Sequence, residues 1–125
     1  MTGRRVLVVD DEPQILRALG TSLRGAGYEV DTADTAAGAL AAAAMRPPDA
    51  VILDLVLPDG RGTDVCAELR TWTSAPVIVL SAVGEEQEKL AAFEAGADDY
   101  VTKPVGLDEL LARLKAVLRR AAPTG

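Results

Sequence analysis

Histidine is absent from the 125 residues. That excludes His-based zinc sites, Ser-His triads and phosphorylation of the chain's own imidazole. Cysteine occurs once, at Cys66, so no internal disulfide can form, which suits a reducing compartment. Lying in an apolar helical pattern, Cys66 reads as a small buried hydrophobe rather than a reactive thiol. Aromatics are scarce. Tyr28, Trp72, Phe93 and Tyr100 are the whole set, too few to build a surface that stacks on bases or a flavin. Positive charge is in deficit, with 13 Lys and Arg against 19 Asp and Glu and a net charge of −6. The chain therefore lacks the cationic footprint that would hold nucleic acid by itself. No run approaches the roughly 18 apolar residues of a membrane span, and Met1 to Arg5 lead into a strand rather than a signal peptide. The expectation is a cytoplasmic domain with no membrane partner.

What is present is a core. Hydrophobic residues make up 49% of the chain, which excludes disorder, and the length suits one domain. Short β-branched runs alternate with helical stretches. The runs are Val6–Val9, Glu29–Thr32, Val51–Leu53, Val77–Leu80 and Tyr100–Thr102. Four are nearly continuous in apolar character, as parallel strands covered on both faces require; the second is more polar and belongs at an edge. Between them the pattern predicts helices: one after Pro13, closed by Gly25 and Gly27, then Ala36 to Met45, Thr63 to Thr71 and Glu85 to Ala95. A last helix carries the stripe Leu107, Leu110, Leu111, Leu114, Val117 and Leu118. Five βα units make a doubly wound α/β fold with a five-stranded parallel sheet the economical solution. The domain is expected over residues 1–121, with 122–125 as the start of a linker.

Open α/β sheets gather ligands outside the carboxyl ends of their strands. There the first strand ends in Asp10-Asp11-Glu12, the third in Asp54, the fourth in Ser81 and the fifth in Lys103-Pro104. Each has an ordinary reading. Asp11 could cap the helix that opens at Pro13, Ser81 could bond a backbone group, and Lys103 could neutralise an aspartate. Asp54 is harder to dismiss, because it lies in a mostly apolar setting where acids need partners. Two carboxylates about 4 Å apart repel by about 4 kcal/mol at an effective dielectric of 20, so a proton or a metal ion must join them. An all-oxygen donor set selects a hard ion such as Mg²⁺. Mg²⁺ and a lysine together clamp a transferring phosphoryl group, and a carboxylate inside that clamp can be the nucleophile. The residues thus suggest phosphorylation of Asp54.

Four ordered motifs carry a family resemblance: Val6-Leu7-Val8-Val9-Asp10-Asp11-Glu12-Pro13, Leu53-Asp54-Leu55-Val56-Leu57-Pro58-Asp59-Gly60, Val79-Leu80-Ser81-Ala82, and Gly96-Ala97-Asp98-Asp99-Tyr100-Val101-Thr102-Lys103-Pro104. They resemble bacterial response-regulator receiver domains of the OmpR/PhoB branch, and within it the regulators of potassium-uptake genes. The likeness runs over essentially the whole chain. It implies a CheY-like sheet of order 2-1-3-4-5, the order the receiver CheY itself illustrates. It also implies that Asp54 accepts phosphate from a sensor histidine kinase. Asp10, Asp11, Asp54 and the Val56 carbonyl would hold Mg²⁺, and Lys103, joined to Pro104 by a cis bond, would pair with the phosphoryl group. Ser81 and Tyr100 would form the switch.

In that branch phosphorylation favours a homodimer through the fourth helix, fifth strand and fifth helix. The ion pairs across it map onto Lys89 with Glu109, Asp99 with Arg113, and Asp98 with Arg120. The ordinary reading of these six is a solvated face, where one exposed pair adds only about 0–1 kcal/mol. DNA would be reached only through a C-terminal domain that this sequence does not contain. The chain departs from the branch at Val105, where Phe is usual, at Val83, where Arg is common, and at Phe93, where Leu is usual. A phosphatase of the haloacid-dehalogenase type fits poorly, since it needs an aspartate where Val56 stands. The alternatives left open are a stand-alone receiver and an unphosphorylated pseudo-receiver that acts by protein contact.

Overall fold

The computed structural model describes residues 3–121; the linker expected at 122–125 lies outside them. In chain order the elements are β1 (Arg5–Val9), α1 (Pro13–Gly25), β2 (Glu29–Ala33), α2 (Ala36–Met45), β3 (Ala50–Leu53), β4 (Val56–Leu57), β5 (Gly60–Arg61), α3 (Gly62–Arg70), β6 (Val77–Ser81), α4 (Glu86–Glu94), β7 (Asp99–Thr102) and α5 (Leu107–Ala121). The main sheet is parallel throughout, ordered β2-β1-β3-β6-β7. With the two short strands set aside, this is the expected 2-1-3-4-5. The polar strand β2 is at one edge, and β3 and β6, buried at every residue, are in the middle.

Alternation along each strand feeds two cores. Leu7, Val9, Leu53 and Val79 face one way, onto Ala39 and Ala43 of α2 and Val65, Cys66 and Leu69 of α3. Val6, Val8, Ile52 and Ile78 face the other, onto Leu19 and Leu23 of α1 and Leu110, Leu114 and Val117 of α5. Cys66 is buried, as its setting indicated. Helix α5 also obeys its dipole, with Asp108 and Glu109 in its first turn and Arg119 and Arg120 in its last. Among the described residues no helix is long and apolar enough to cross a membrane.

Three local features differ from the sequence reading. Helices α3 and α4 are each displaced or shortened by one residue at their ends, as capping turns commonly are. The N-cap of α1 is Glu12, not Asp11, and its side chain makes no capping bond. The loop after β3 folds into an antiparallel β4–β5 hairpin, with Val56 opposite Arg61. Gly60-Arg61-Gly62 thus supplies the second strand of that hairpin and the first residue of α3.

The hairpin also completes α2. That helix has no acidic residue in its own first turn, but Asp59 reaches across and accepts from Ala36 N at 2.6 Å and Ala37 N at 3.0 Å. Thr35 accepts from Gly38 N at 2.9 Å. These bonds from Ala36 and then Ala37 hold the Asp59 carboxyl below the usual range. A depressed pKa means the cap is fully present above ordinary carboxylate values and is lost as pH falls through the lowered one. Asp59→Ala therefore melts at a lower temperature than wild type near neutrality. The deficit shrinks as pH falls through the lowered pKa, measured by thermal melts at several pH values.

Candidate functional site

Backbone hydrogen bonds extend the sheet past the strand ends and set the loops in register. Asp10 N donates to Ala33 O at 3.1 Å, Asp54 N to Val9 O at 2.9 Å, and Lys103 N to Ser81 O at 2.8 Å. The residues that follow β1, β3 and β7 are thereby placed side by side. Asp10 and Asp54 are buried, as is Ser81 at the end of β6. The Lys103–Pro104 bond is cis, as the resemblance implied.

Lys103 draws the acids together. Its Nζ lies 2.8 Å from Asp10, 3.0 Å from Glu12 and 3.3 Å from Asp54. Carboxylate oxygens of Asp10, Glu12 and Asp54 all lie within 4.8 Å of one another. Glu12 N donates to Asp10 Oδ1 at 2.9 Å, and Val56 N to Asp54 Oδ1 at 3.3 Å. Asp11, in contrast, is exposed and outside this group. Glu12, to which sequence reasoning assigned no role, thus joins Asp10 and Asp54 around Lys103. The β1–α1 turn decides this, and no residue-type signal distinguishes the neighbours Asp11 and Glu12.

Gly62 permits the tight fold over the acid. A Cβ there would stand 2.3 Å from Asp54 O and 2.7 Å from Leu55 Cα, while Gly62 N donates to Leu55 O at 2.8 Å. Only glycine allows that approach.

Burial pushes the Asp54 carboxyl above its ordinary value; the Lys103 charge and the Val56 N–H oppose this, and Asp10 adds to it. Burial works against the Lys103 charge, but hydrogen bonds to Asp10 and Glu12 and the charge of Asp54 reverse this and push its pKa above the usual lysine range. A pKa raised in the folded state means that stability falls as pH rises through the ordinary and then the raised value. Asp54→Asn, which does not titrate, is therefore more stable than wild type near neutrality without divalent cations. Its advantage grows as pH rises through the ordinary carboxylate range and on through the raised pKa, measured by urea denaturation in chelator.

The donor chemistry fits a hard divalent cation. All donors are oxygens, and a single ammonium faces three carboxylates, so the cluster is short of positive charge. Asp10 and Glu12 with Asp54 could hold Mg²⁺, and the neighbouring Val56 carbonyl is the ligand implied by the resemblance.

The expected switch residues meet beside the acids. Ser81 Oγ accepts from Val83 N at 3.2 Å, and the Tyr100 hydroxyl donates to the Val83 carbonyl in a short hydrogen bond. Burial pushes the Tyr100 hydroxyl up against an opposing bond with Ser81. Lys89 Nζ stands 5.9 Å from the Tyr100 ring centroid. Of the departures, Val83 supplies the carbonyl for Tyr100, Val105 packs against the α1/α5 core and Phe93 is half exposed on α4.

The six expected dimer-face charges divide unequally. Arg113 is already bound within the chain, to Asp99 at 3.1 Å and Glu109 at 3.0 Å. Asp98 pairs with Arg70 at 2.8 Å. Arg120 is exposed and makes no ion pair among the described residues.

An acid-lined carboxyl edge on a five-stranded 2-1-3-4-5 sheet defines a CheY-like regulatory α/β domain. Solved structures share it over nearly the whole chain: a two-component response regulator from Clostridium difficile superposes with TM-score 0.93 at 30% identity, covering 96% of this chain and 99% of that one. A putative response regulator from Chloroflexus aurantiacus gives 0.88 at 38%, covering 95% and 100%. The chain belongs to the response regulator receiver domain family, whose model matches residues 6–115. Its curated relatives include the transcriptional regulatory protein KdpE of Mycobacterium tuberculosis, 64% identical over 92% of this chain and 51% of that protein. They also include the KDP operon transcriptional regulatory protein KdpE of Escherichia coli, 53% identical over 95% and 53%. Response regulator MprA of a Mycobacterium species is 45% identical over 95% and 52%. These relatives put the chain on the OmpR/PhoB branch, beside KdpE. The chain spans about half the length of each of these three relatives.

Proposed function

We propose that this receiver accepts a phosphoryl group on Asp54 from the phosphohistidine of a sensor kinase, with Mg²⁺ held by the acidic cluster. The observation that carries the reading is Lys103, held 3.3 Å from a buried Asp54 whose other carboxylate neighbours outnumber the available positive charge. A carboxylate oxygen of Asp54 attacks the phosphorus as the P–N bond to the donor imidazole breaks. The electron pair stays on the leaving nitrogen, and an acyl phosphate results. Mg²⁺, when bound, supplies the charge that neutralises the phosphoryl oxygens. Lys103 is the chain's own cation at that position, and Val56 N steadies Asp54 Oδ1. Asp11 adds a carboxylate at the rim. Water later hydrolyses the acyl phosphate and resets the domain.

Phosphorylation brings about two negative charges and new acceptors. The Ser81–Val83–Tyr100 cluster is the element positioned to sense them. The α4–β7–α5 face then favours a dimer, by biasing an existing equilibrium rather than building a new state. In a longer protein of the length of its relatives, that dimer would control a C-terminal DNA-binding domain in the cytoplasm. Potassium-responsive transcription is the specific role suggested by the likeness to KdpE. The test is sedimentation with Mg²⁺ and beryllofluoride, an analogue of the acyl phosphate: the chain should shift from monomer to dimer. A chain that binds the analogue and stays monomeric would favour a receiver that acts by other contacts.

A further inference from the structure

The guanidinium of Arg70, at the end of α3, is enclosed by acceptors. Nε and Nη2 donate to Gly96 O at 3.0 and 2.8 Å, and Nη1 donates to Ala75 O at 2.6 Å and Thr73 O at 3.4 Å. Nη2 also reaches Asp98 Oδ2 at 2.8 Å. One side chain thus ties the α3–β6 loop to the turn before β7. Gly96 has φ +110°, and a Cβ there would stand 2.7 Å from Arg70 Cγ. The turn is shaped around the arginine.

Asp98 is held on one oxygen. Oδ2 receives both Arg70 and Val77 N, each at 2.8 Å. Oδ1 takes part in neither bond, and the side chain is 43% exposed. Asp98 and Arg120 border the same surface groove without pairing. They differ in this from Asp99, Glu109 and Arg113, which already satisfy one another inside the chain. Re-pairing those three across an interface exchanges one set of bonds for another. Pairing a pre-set Asp98 with an uncommitted arginine forms a new bond, and two-fold symmetry forms it twice.

We propose that Arg70 is a positioning residue for dimerisation: it fixes the Asp98 carboxylate with one oxygen available, so that Asp98 with Arg120 of the partner subunit is the ion pair that contributes most to association. This rests on the dimer reading above. A carboxylate fixed before contact loses less freedom on binding than a mobile one. The interface would be tuned by a residue on α3, outside the α4–β7–α5 face.

The test is sedimentation equilibrium with Mg²⁺ and beryllofluoride, alongside intact-mass measurement of labelling by acetyl phosphate. Arg70→Met should raise the dimer dissociation constant by about three- to tenfold while Asp54 labelling is unchanged. Arg70→Lys, which keeps the charge but not the fork, should fall between and decides the matter if the methionine variant does not fold. In an Arg120→Ala background Arg70→Met should have no further effect. Variants that dimerise like wild type overturn the proposal, and so does a weakening that persists undiminished without Arg120, which marks a merely structural role. A wild-type chain that carries beryllofluoride yet stays monomeric overturns the dimer reading, and this proposal with it.

Discussion

Incubated with Mg²⁺ and acetyl phosphate, the wild-type chain should gain one phosphoryl group by intact mass, and Asp54→Asn should gain none. The effect is all or nothing because the substitution removes the nucleophile and little else. Asparagine has the shape of aspartate, and its amide oxygen can still accept from Val56 N as Asp54 Oδ1 does. It lacks the negatively charged oxygen that attacks phosphorus. Asp10 is as buried as Asp54 and is not a substitute. Its Oδ2 is bound by Lys103 at 2.8 Å and its Oδ1 by Glu12 N at 2.9 Å, tighter than the 3.3 Å at which Asp54 meets both Lys103 and Val56 N, so Asp54 has the more available oxygens. Since Asp54→Asn is expected to be the more stable protein at neutral pH even before Mg²⁺ is added, unfolding does not account for lost labelling. Label that survives in the variant moves the acceptor elsewhere.

Lys103→Met separates two roles of one ammonium. In chelator the variant loses stability, because Asp10 and Asp54 remain buried without their cation; stranding the partner of a buried charge typically costs about 3–5 kcal/mol. The lower end applies here, since Glu12 is half exposed and can turn to water. Mg²⁺ restores most of the loss by supplying charge to the same oxygens, so the variant's melting temperature rises more on Mg²⁺ addition than that of wild type. Folded in Mg²⁺, it should accept phosphate on Asp54, more slowly than wild type, and fail to dimerise. Lys103 lies on the loop joining β7 to α5, and in the mechanism proposed above its attachment to the phosphoryl group would carry the signal to that face. Thermal melts with and without Mg²⁺ test the first half, and sedimentation of the labelled variant tests the second. Wild-type dimerisation by Lys103→Met would remove the lysine from the switch.

The fold was legible because its strands and helices are set by local patterns. Continuous apolar runs at Val51–Leu53 and Val77–Leu80 can be satisfied only in the middle of a sheet, and the polar Glu29–Thr32 only at its edge. The acids were legible for a related reason. Asp54 follows three apolar residues, and a strand register that buries Leu53 carries the next residue to the sheet edge. The β4–β5 hairpin was not legible, since two-residue strands leave no periodicity to count. Nor was the Asp59 cap on α2, which joins residues 22 or more positions apart.

The same division holds for function. Residue type and order alone determined that this chain would form a parallel α/β domain with carboxylates, a hydroxyl and a lysine at one sheet edge, because burial and backbone pairing admit few other solutions for such a pattern. That Asp10 and Glu12 meet Lys103 while Asp11 between them is exposed was decided by the β1–α1 turn. The pairing of Arg113 with Asp99, and the grip of Arg70 on Asp98, arise from contacts between different elements of the chain. Such contacts depend on where a long side chain ends in space, and the one-dimensional pattern carries no record of that.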